Sequence, residues 1–302
     1  MKNFLITGGA GFVGSHLAEE LLNKGNSVTI LDNLITGKKS NLKKIEDKIN
    51  FIEGDIRDQE LLENICSHID GIFHQAAKAS VPESFNKPKE YQDVNVNGTE
   101  NIFTQAKKYG IKVVYASSSS VYGNPIELPI KENANKNPIN PYAQTKLDKE
   151  KLAEKFSKKG LKVIGMRYFN IFGERQSKEY AGVVTLFLKF IQQKLPLKIN
   201  GDGLQSRDFV FVEDVIRANI MAMESNIDHA FFNVGTNTST SILELADIMI
   251  KAANLNIKPI FGPALDGDIK FSLADISLIT KSLDWHPTKT IQEWLQQKLY
   301  KK

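Results

Sequence analysis

Cysteine is nearly absent from this chain of 302 residues: Cys66 stands alone, so no internal disulfide can form and a reducing compartment, the cytoplasm, is expected. Cys66 sits beside Ile65 and Ile69 in a helical stretch and reads as core packing. Long apolar runs are missing too; none approaches the roughly 18 residues of a membrane span, so no membrane partner is expected. The N-terminus runs straight into a strand pattern, so no leader of a secreted protein is expected. Excess charge of one sign is also lacking. The 39 basic and 35 acidic residues leave +4, with lysine spread along the chain, so nothing points to nucleic acid. There is no repeat and no low-complexity tract, and the Lys298–Lys302 tail reads as a frayed, solvated helix end. His, Cys and acidic residues never take metal-ligand spacing, and no acid–histidine pair is placed to activate a serine. His16 and His74 are read as structural.

What is present begins with glycine. Thr7-Gly-Gly-Ala-Gly-Phe-Val-Gly14 follows the apolar run Phe4-Leu5-Ile6 and precedes a helical pattern with Leu17, Leu21 and Leu22 on one face. Strand, glycine turn and helix in that order suit a nucleotide pyrophosphate, because glycine lets the backbone approach the phosphates and the helix N-terminus offers free N–H groups. The spacing is Gly8-x-x-Gly11-x-x-Gly14. Asp32 closes the next strand, eighteen residues after Gly14, where a carboxylate accepts hydrogen bonds from an adenosine ribose and repels a 2′-phosphate. NAD is therefore favoured over NADP.

Strand patterns at 3–7, 27–31, 49–53, 70–74, 111–116 and 161–166 alternate with helical patterns at 12–24, 58–67, 88–109 and 141–159. The series predicts an α/β fold, a Rossmann-type doubly wound parallel sheet covered on both faces. Polar or small residues cluster at the strand ends, where ligands bind in such sheets: Gly8 to Gly14, Asp32-Asn33, Asp55-Ile56, Ala76-Ala77 and Ser117 to Ser120. After about residue 167 the elements shorten. Residues 1–167 are read as the nucleotide-binding domain, with a return at about 209–235 where two aromatic runs are strand-like. Residues 168–208 and 236–302 are read as a smaller mixed α/β substrate domain.

The chemistry centres on Tyr142-Ala-Gln-Thr-Lys146, which opens a helix after Pro141. Tyr142 and Lys146 share a helix face. An ammonium near a phenol lowers its pKa from about 10, so Tyr142 is a candidate acid and base. Ser117-Ser118-Ser119-Ser120 ends the preceding strand, and hydroxyls there can orient a substrate hydroxyl and share its proton.

Taken in order, the glycine turn, Asp32-Asn-Leu34, Gly54-Asp-Ile56, His74-Gln-Ala-Ala77, Ser117-Ser-Ser-Ser-Val-Tyr-Gly123, Tyr142-x-x-x-Lys146 and Arg167-Tyr-Phe-Asn170 resemble the extended short-chain dehydrogenase/reductase family. Within that family they look most like the NAD-dependent nucleotide-sugar 4-epimerases. The resemblance runs on through Asn200-Gly-Asp-Gly-Leu-Gln-Ser-Arg-Asp-Phe209 and Gly267-Asp-Ile-Lys-Phe-Ser-Leu-Ala-Asp275. It implies that NAD is cradled by Gly8, Gly11, Phe12, Val13 and Gly14, with Asp32 and Asn33 on the adenosine ribose and Asp55 and Ile56 flanking adenine. Ala76, Ala77, Lys78 and Ser117 would line the cofactor channel, Lys146 would hold the nicotinamide ribose, and Tyr168 would lie near the nicotinamide. Tyr142 would exchange the proton of the sugar 4-hydroxyl, with Ser118 in the family's catalytic hydroxyl position. The UDP-sugar would meet Lys78, Ser118, Ser119, Tyr142, Asn170, Arg207, Asp268 and Ser272. The helices at 88–109 and 141–159 are the pair such enzymes use in a two-fold homodimer.

A dehydratase would carry Asp-Glu after the catalytic hydroxyl, where this chain has Ser119 and Ser120, and a glucuronate decarboxylase would carry an acid in that loop. Reversible oxidation at C4 needs neither. Ser272 takes a position beside the sugar C2 substituent, where a small residue leaves room for an N-acetyl group, so UDP-GlcNAc/UDP-GalNAc is expected, with UDP-Glc/UDP-Gal also accepted. A UDP-glucose 4-epimerase only, or a UDP-glucuronate 4-epimerase using Arg175, are the alternatives. A non-catalytic NAD sensor would be expected to lack Tyr142, Lys146 or the serines. One departure stands out: Leu265 occupies a position where the family often has arginine, so either Lys198 or Lys270 replaces it or the nucleotide is held more weakly.

Overall fold

The structure, a computed structural model, describes residues 1–176, 182–264 and 269–300. Its strands are β1 (Asn3–Thr7), β2 (Ser27–Asp32), β3 (Asn50–Glu53), β4 (Gly71–His74), β5 (Lys112–Ser118), β6 (Val163–Tyr168), β7 (Asn170–Phe172), β8 (Lys198–Asn200), β9 (Ser206–Phe211), β10 (His229–Val234), β11 (Ser239–Ser241) and β12 (Ile260–Gly262). Seven of them form one parallel sheet in the order β10-β6-β5-β4-β1-β2-β3. The chain builds β1 to β3 toward one edge and β4, β5, β6 and β10 toward the other, so the order reverses between β1 and β4. A crevice opens at the carboxyl ends of strands at such a reversal.

Side chains alternate across each strand and fill two cores. Phe4, Ile6, Phe73, Val114, Ile164 and Met166 face helices α1 (Phe12–Asn23) and α8 (Val212–Glu224), whereas Leu5, Ile72, Val113, Tyr115 and Val163 face α2 (Gln59–Cys66), α5 (Gly98–Tyr109) and α6 (Pro141–Ser157). Apolar residues thus occur at every strand position, as expected of a sheet covered on both sides. Two short helices, α3 (Val81–Asn86) and α4 (Pro88–Gln92), precede α5. The helix read at 88–109 is broken by a wider π turn over Asp93–Asn97. That turn carries buried Asn95, whose side chain accepts from Lys78 N–H at 2.8 Å and donates to Lys78 O and Thr145 Oγ1, each at 3.0 Å.

A third core gathers Phe172, Phe187, Ile199, Phe209, Leu245 and Trp294 from α7 (Val183–Gln192), α9 (Ile242–Ala252), α11 (Ile291–Leu299) and the short sheets β11-β9-β7 and β12-β8. Two placements differ from the sequence reading. Of the two aromatic runs read as returning to the nucleotide domain, the one in β10 pairs with β6, but the one in β9 pairs with β7 and β11 in the small sheet. Helix α10 (Ser277–Leu283) and Trp285, read as part of the second domain, instead pack in the first core with α8 and β10.

Candidate active site

A cavity of about 450 Å³ lies over the carboxyl ends of the sheet and is lined at one end by Gly8, Gly11, Phe12, Val13, Gly14, Asp32, Asn33 and Ile56. Two glycines are demanded by contact distances. Gly8 has φ +68°, and a Cβ there would lie 2.7 Å from the Ala76 nitrogen; a Cβ on Gly14 would lie 2.3 Å from the Gly8 oxygen. Gly11 is the N-cap of α1 and has no side chain to satisfy the first-turn N–H groups, which are left for an anion. Asp32 is buried, its two oxygens accepting from Ala10 N–H at 2.9 Å and Leu34 N–H at 2.8 Å. Burial raises its carboxyl above the usual range while those two N–H groups pull it back. Each oxygen keeps acceptor capacity for a ribose hydroxyl. A glycine cradle closed to any Cβ, a bare helix start and a buried carboxylate together fit a dinucleotide.

Beneath the glycine turn, His74 is fully buried between Thr7 Oγ1 at 2.7 Å and Thr99 Oγ1 at 2.8 Å. Thr99 donates its own proton to Asn95 O at 2.6 Å, so His74 carries its proton on Nε2 and accepts from Thr7 on Nδ1. Burial holds the imidazole neutral, well below its ordinary pKa. The residue is structural, tying β1, β4 and α5 together under the cofactor end.

At the centre of the cavity stand Ala76, Ala77, Lys78, Ser117, Ser118, Tyr142, Lys146 and Tyr168. Asn140 caps α6 through Ala143 N–H at 2.8 Å, and Pro141 opens it, which aims Tyr142 and Lys146 at the end of β5. The Lys146 ammonium lies 5.5 Å from the centre of the Tyr142 ring and donates to Ala116 O at 3.1 Å. Burial brings Lys146 down to about 8. The lowering of the Tyr142 phenol expected from the sequence is reversed here. Burial raises it, and the hydrogen bond with Ser118 is the opposing influence, because the ammonium is turned to the Ala116 carbonyl. Lys149, which sequence reasoning did not single out, is buried one turn further along and reaches the same carbonyl at 3.4 Å. Burial and the neighbouring Lys146 push its pKa well below the ordinary lysine range.

Several expected residues have their polar groups committed elsewhere. Ser117 lines the cavity but donates to Glu150 at 2.7 Å, and Glu150 forms a fully buried two-bond pair with Arg167. The Lys78 ammonium reaches Glu90 at 2.7 Å and Glu83 at 3.2 Å. Tyr168 donates toward Asn219 Oδ1 at 2.9 Å, with Gln75 Oε1 at 3.1 Å. Asp55 is off the lining. It accepts from Asn33 at 2.9 Å, and Arg57, bonded to it at the same distance, holds its carboxyl at about 2. Arg175 is bound to Glu19 through 2.6 and 2.7 Å contacts, turned toward α1.

The far end of the cavity is lined by Phe169, Asn170, Ile171, Gln176, Val183 and Phe209. Of the remaining expected substrate contacts, Ser119, Arg207 and Ser272 lie off this lining, and Asp268, like Leu265, lies outside the described residues. Gln75, Gln176 and Phe209 line the cavity without having been singled out from the sequence. Gln75 and Phe209 fall inside quoted motifs but were given no role there. Among the described residues no His, Cys, Asp and Glu group could hold a metal, and no helix is long and apolar enough to cross a membrane.

Comparison with known proteins places this geometry. A UDP-glucose 4-epimerase of Lactobacillus helveticus is 36% identical over 305 residues, covering 94% of this chain and 91% of that protein. A crystal structure of UDP-glucose 4-epimerase from Thermotoga maritima with UDP-glucose superimposes with a TM-score of 0.94 at 34% identity, covering 99% of this chain and 97% of the other. A UDP-N-acetylglucosamine 4-epimerase from Methanobrevibacter ruminantium, in complex with UDP-N-acetylmuramic acid, gives a TM-score of 0.94 at 37% identity and covers 99% and 98%. Residues 4–235 match the model of one family, and the resemblance read from the motifs holds at that level: the chain belongs to the NAD dependent epimerase/dehydratase family.

Proposed function

We propose that the protein is an NAD-dependent epimerase that inverts C4 of a UDP-hexose, with UDP-GlcNAc/UDP-GalNAc as its preferred pair and UDP-Glc/UDP-Gal also accepted. One observation carries the reading: a single cavity joins the glycine cradle and Asp32 to Ser118, Tyr142 and Lys146, and continues to Asn170. NAD, when bound, supplies the acceptor and later the donor of the C4 hydride, and its positive nicotinamide ring favours a neighbouring phenolate. Gly8, Gly11 and Gly14 hold the pyrophosphate, and Asp32 and Asn33 the adenosine ribose. Tyr142 takes the proton of the sugar 4-hydroxyl, Ser118 hydrogen-bonds that oxygen, and Lys146 supplies positive charge beside the phenol. After the 4-keto sugar presents its other face, Tyr142 returns the proton to the oxygen. Asn170 and Arg207 serve the diphosphate, where a planar, permanently charged guanidinium suits the oxygens.

The chemistry between residues 117 and 123 supports epimerisation over elimination, since Ser119 and Ser120 offer no carboxyl group. Ser272 supports the N-acetyl preference through its small volume. Arg175, the cation that would have favoured a glucuronate, is neutralised by Glu19. A two-fold dimer through the outer faces of α5 and α6 is part of the proposal, and sedimentation equilibrium tests it. Separate incubation with UDP-GlcNAc and UDP-Glc, without added NAD, and chromatographic separation of the C4 epimers tests the activity. Conversion of UDP-GlcNAc is expected. Conversion of UDP-Glc alone would leave a galactose-type enzyme, and no conversion of either, with NAD supplied, would overturn the reading.

A further inference from the structure

Asp208 follows Arg207 on β9 and is wholly buried, yet among the described residues its carboxylate accepts hydrogen bonds from neutral donors alone. One oxygen accepts from Thr236 N–H at 2.7 Å and Thr236 Oγ1–H at 2.8 Å. The other accepts from Asn237 N–H and Ala274 N–H, each at 3.0 Å. The carboxylate thus joins three segments: the small sheet, the turn after β10 and residues 272–275. Gly235 completes the junction, because a Cβ there would lie 2.6 Å from the Ala274 Cβ and 2.8 Å from an Asp208 oxygen. A buried carboxylate is costly unless its lone pairs are met, so these four donors are held to it, and it to them.

The junction stands behind the far wall of the cavity. Ala274 packs in a small cluster with Val121, Tyr122, Ile130 and Phe169, and Ile130 pairs with Ala274 in an isolated parallel β-bridge. Phe169 and Phe209 line the cavity, Phe209 directly after Asp208 and Phe169 against Ala274. Ser272 is two residues before the anchored Ala274 and is itself buried. We propose that Asp208 is a positioning residue for sugar recognition: by fixing Ala274 it sets where Phe169, Phe209 and Ser272 stand, and therefore how much room the C2 substituent of the sugar has. The proposal rests on the UDP-sugar reading above.

The test uses NAD-loaded protein carrying Tyr142→Phe, which slows turnover, titrated calorimetrically with UDP, UDP-Glc and UDP-GlcNAc. Asp208→Asn replaces an acceptor with a donor facing N–H groups, and Gly235→Ala pushes a methyl into the same junction without changing charge. Each is expected to shift the ratio of dissociation constants for UDP-GlcNAc and UDP-Glc by about fivefold or more, the scale on which pocket shape discriminates a substituent. UDP affinity and bound NAD stay within about twofold, since the cofactor cradle is separate. A folded variant with an unchanged ratio, or one that weakens all three ligands equally, would overturn the assignment and leave Asp208 purely structural. If Asp208→Asn does not fold, Gly235→Ala decides by the same ratio. Failure of the UDP-sugar reading shows differently, as absence of binding by all three ligands to the unmodified holoenzyme, and removes the proposal with it.

Discussion

At the scale of the residue, the site depends on where two buried groups titrate. Tyr142 has one hydroxyl to exchange, with Ser118 hydrogen-bonded to it. Replacing Tyr142 with Phe keeps the ring and removes the proposed proton carrier. The expected loss in kcat is about 10²–10⁴-fold, the range of general acid–base catalysis, with bound NAD unchanged when the protein is denatured and the released nucleotide quantified. Lys146 is held at about 8 by burial, so its ammonium is present below that pH and lost above it. Turnover by wild type should therefore fall as pH rises through about 8, provided that the positive charge favours the Tyr142 phenolate. A kcat profile flat from pH 7 to 9.5 would exclude Lys146 from that role. Direct neighbours in a helix make this pair legible from four-residue spacing. The direction of the phenol's shift was not legible, because burial raises it and only the fold sets how deeply Tyr142 is buried.

At the scale of the element, the turn between β1 and α1 leaves no room for side chains at its glycines. A methyl on Gly14 would meet the Gly8 oxygen at 2.3 Å and the Gly9 Cα at 2.7 Å, both backbone atoms that cannot rotate away. Gly14→Ala should widen the turn, lower bound NAD severalfold and cost about 1–3 kcal/mol of stability, the range of overpacking. Chemical denaturation and nucleotide content of the purified variant check both. This turn was legible because its glycines, strand and helix are contiguous in sequence. The sorting of β9 and β10 was not. Phe209-Val210-Phe211 and Phe231-Phe232 are both apolar aromatic strand patterns, and only their pairing partners send one to the small sheet and the other to the edge beside β6.

At the scale of the whole molecule, a buried polar chain runs from the cofactor cavity into the second half. Ser117 donates to Glu150, Glu150 pairs with Arg167, and Arg167 donates to Tyr122 Oη and Glu132 O, each at 2.7 Å. Tyr122 then donates to Asn233 at 2.7 Å, and Asn233 donates to Ile130 O at 2.8 Å. Truncating one member of a buried ion pair leaves the other charge without compensation. Arg167→Met should destabilise by about 3–5 kcal/mol, whereas Arg167→Met with Glu150→Leu should recover much of that loss. Equal destabilisation by the single and the double change in urea unfolding would show that the network, not the stranded carboxylate, dominates. By itself the sequence determined the parallel nucleotide-binding sheet, the glycine cradle, Asp32 and the Tyr142–Lys146 pair, because each rests on local spacing and strand alternation. Only the tertiary structure decided that Arg175 is spent on Glu19, that Arg167 is bound to Glu150, and that Asp208 gathers Thr236, Asn237 and Ala274. Those partners lie far apart in the chain, and what pairs them is burial: a charge or carboxylate removed from water is held by whichever donors and acceptors the fold brings within reach.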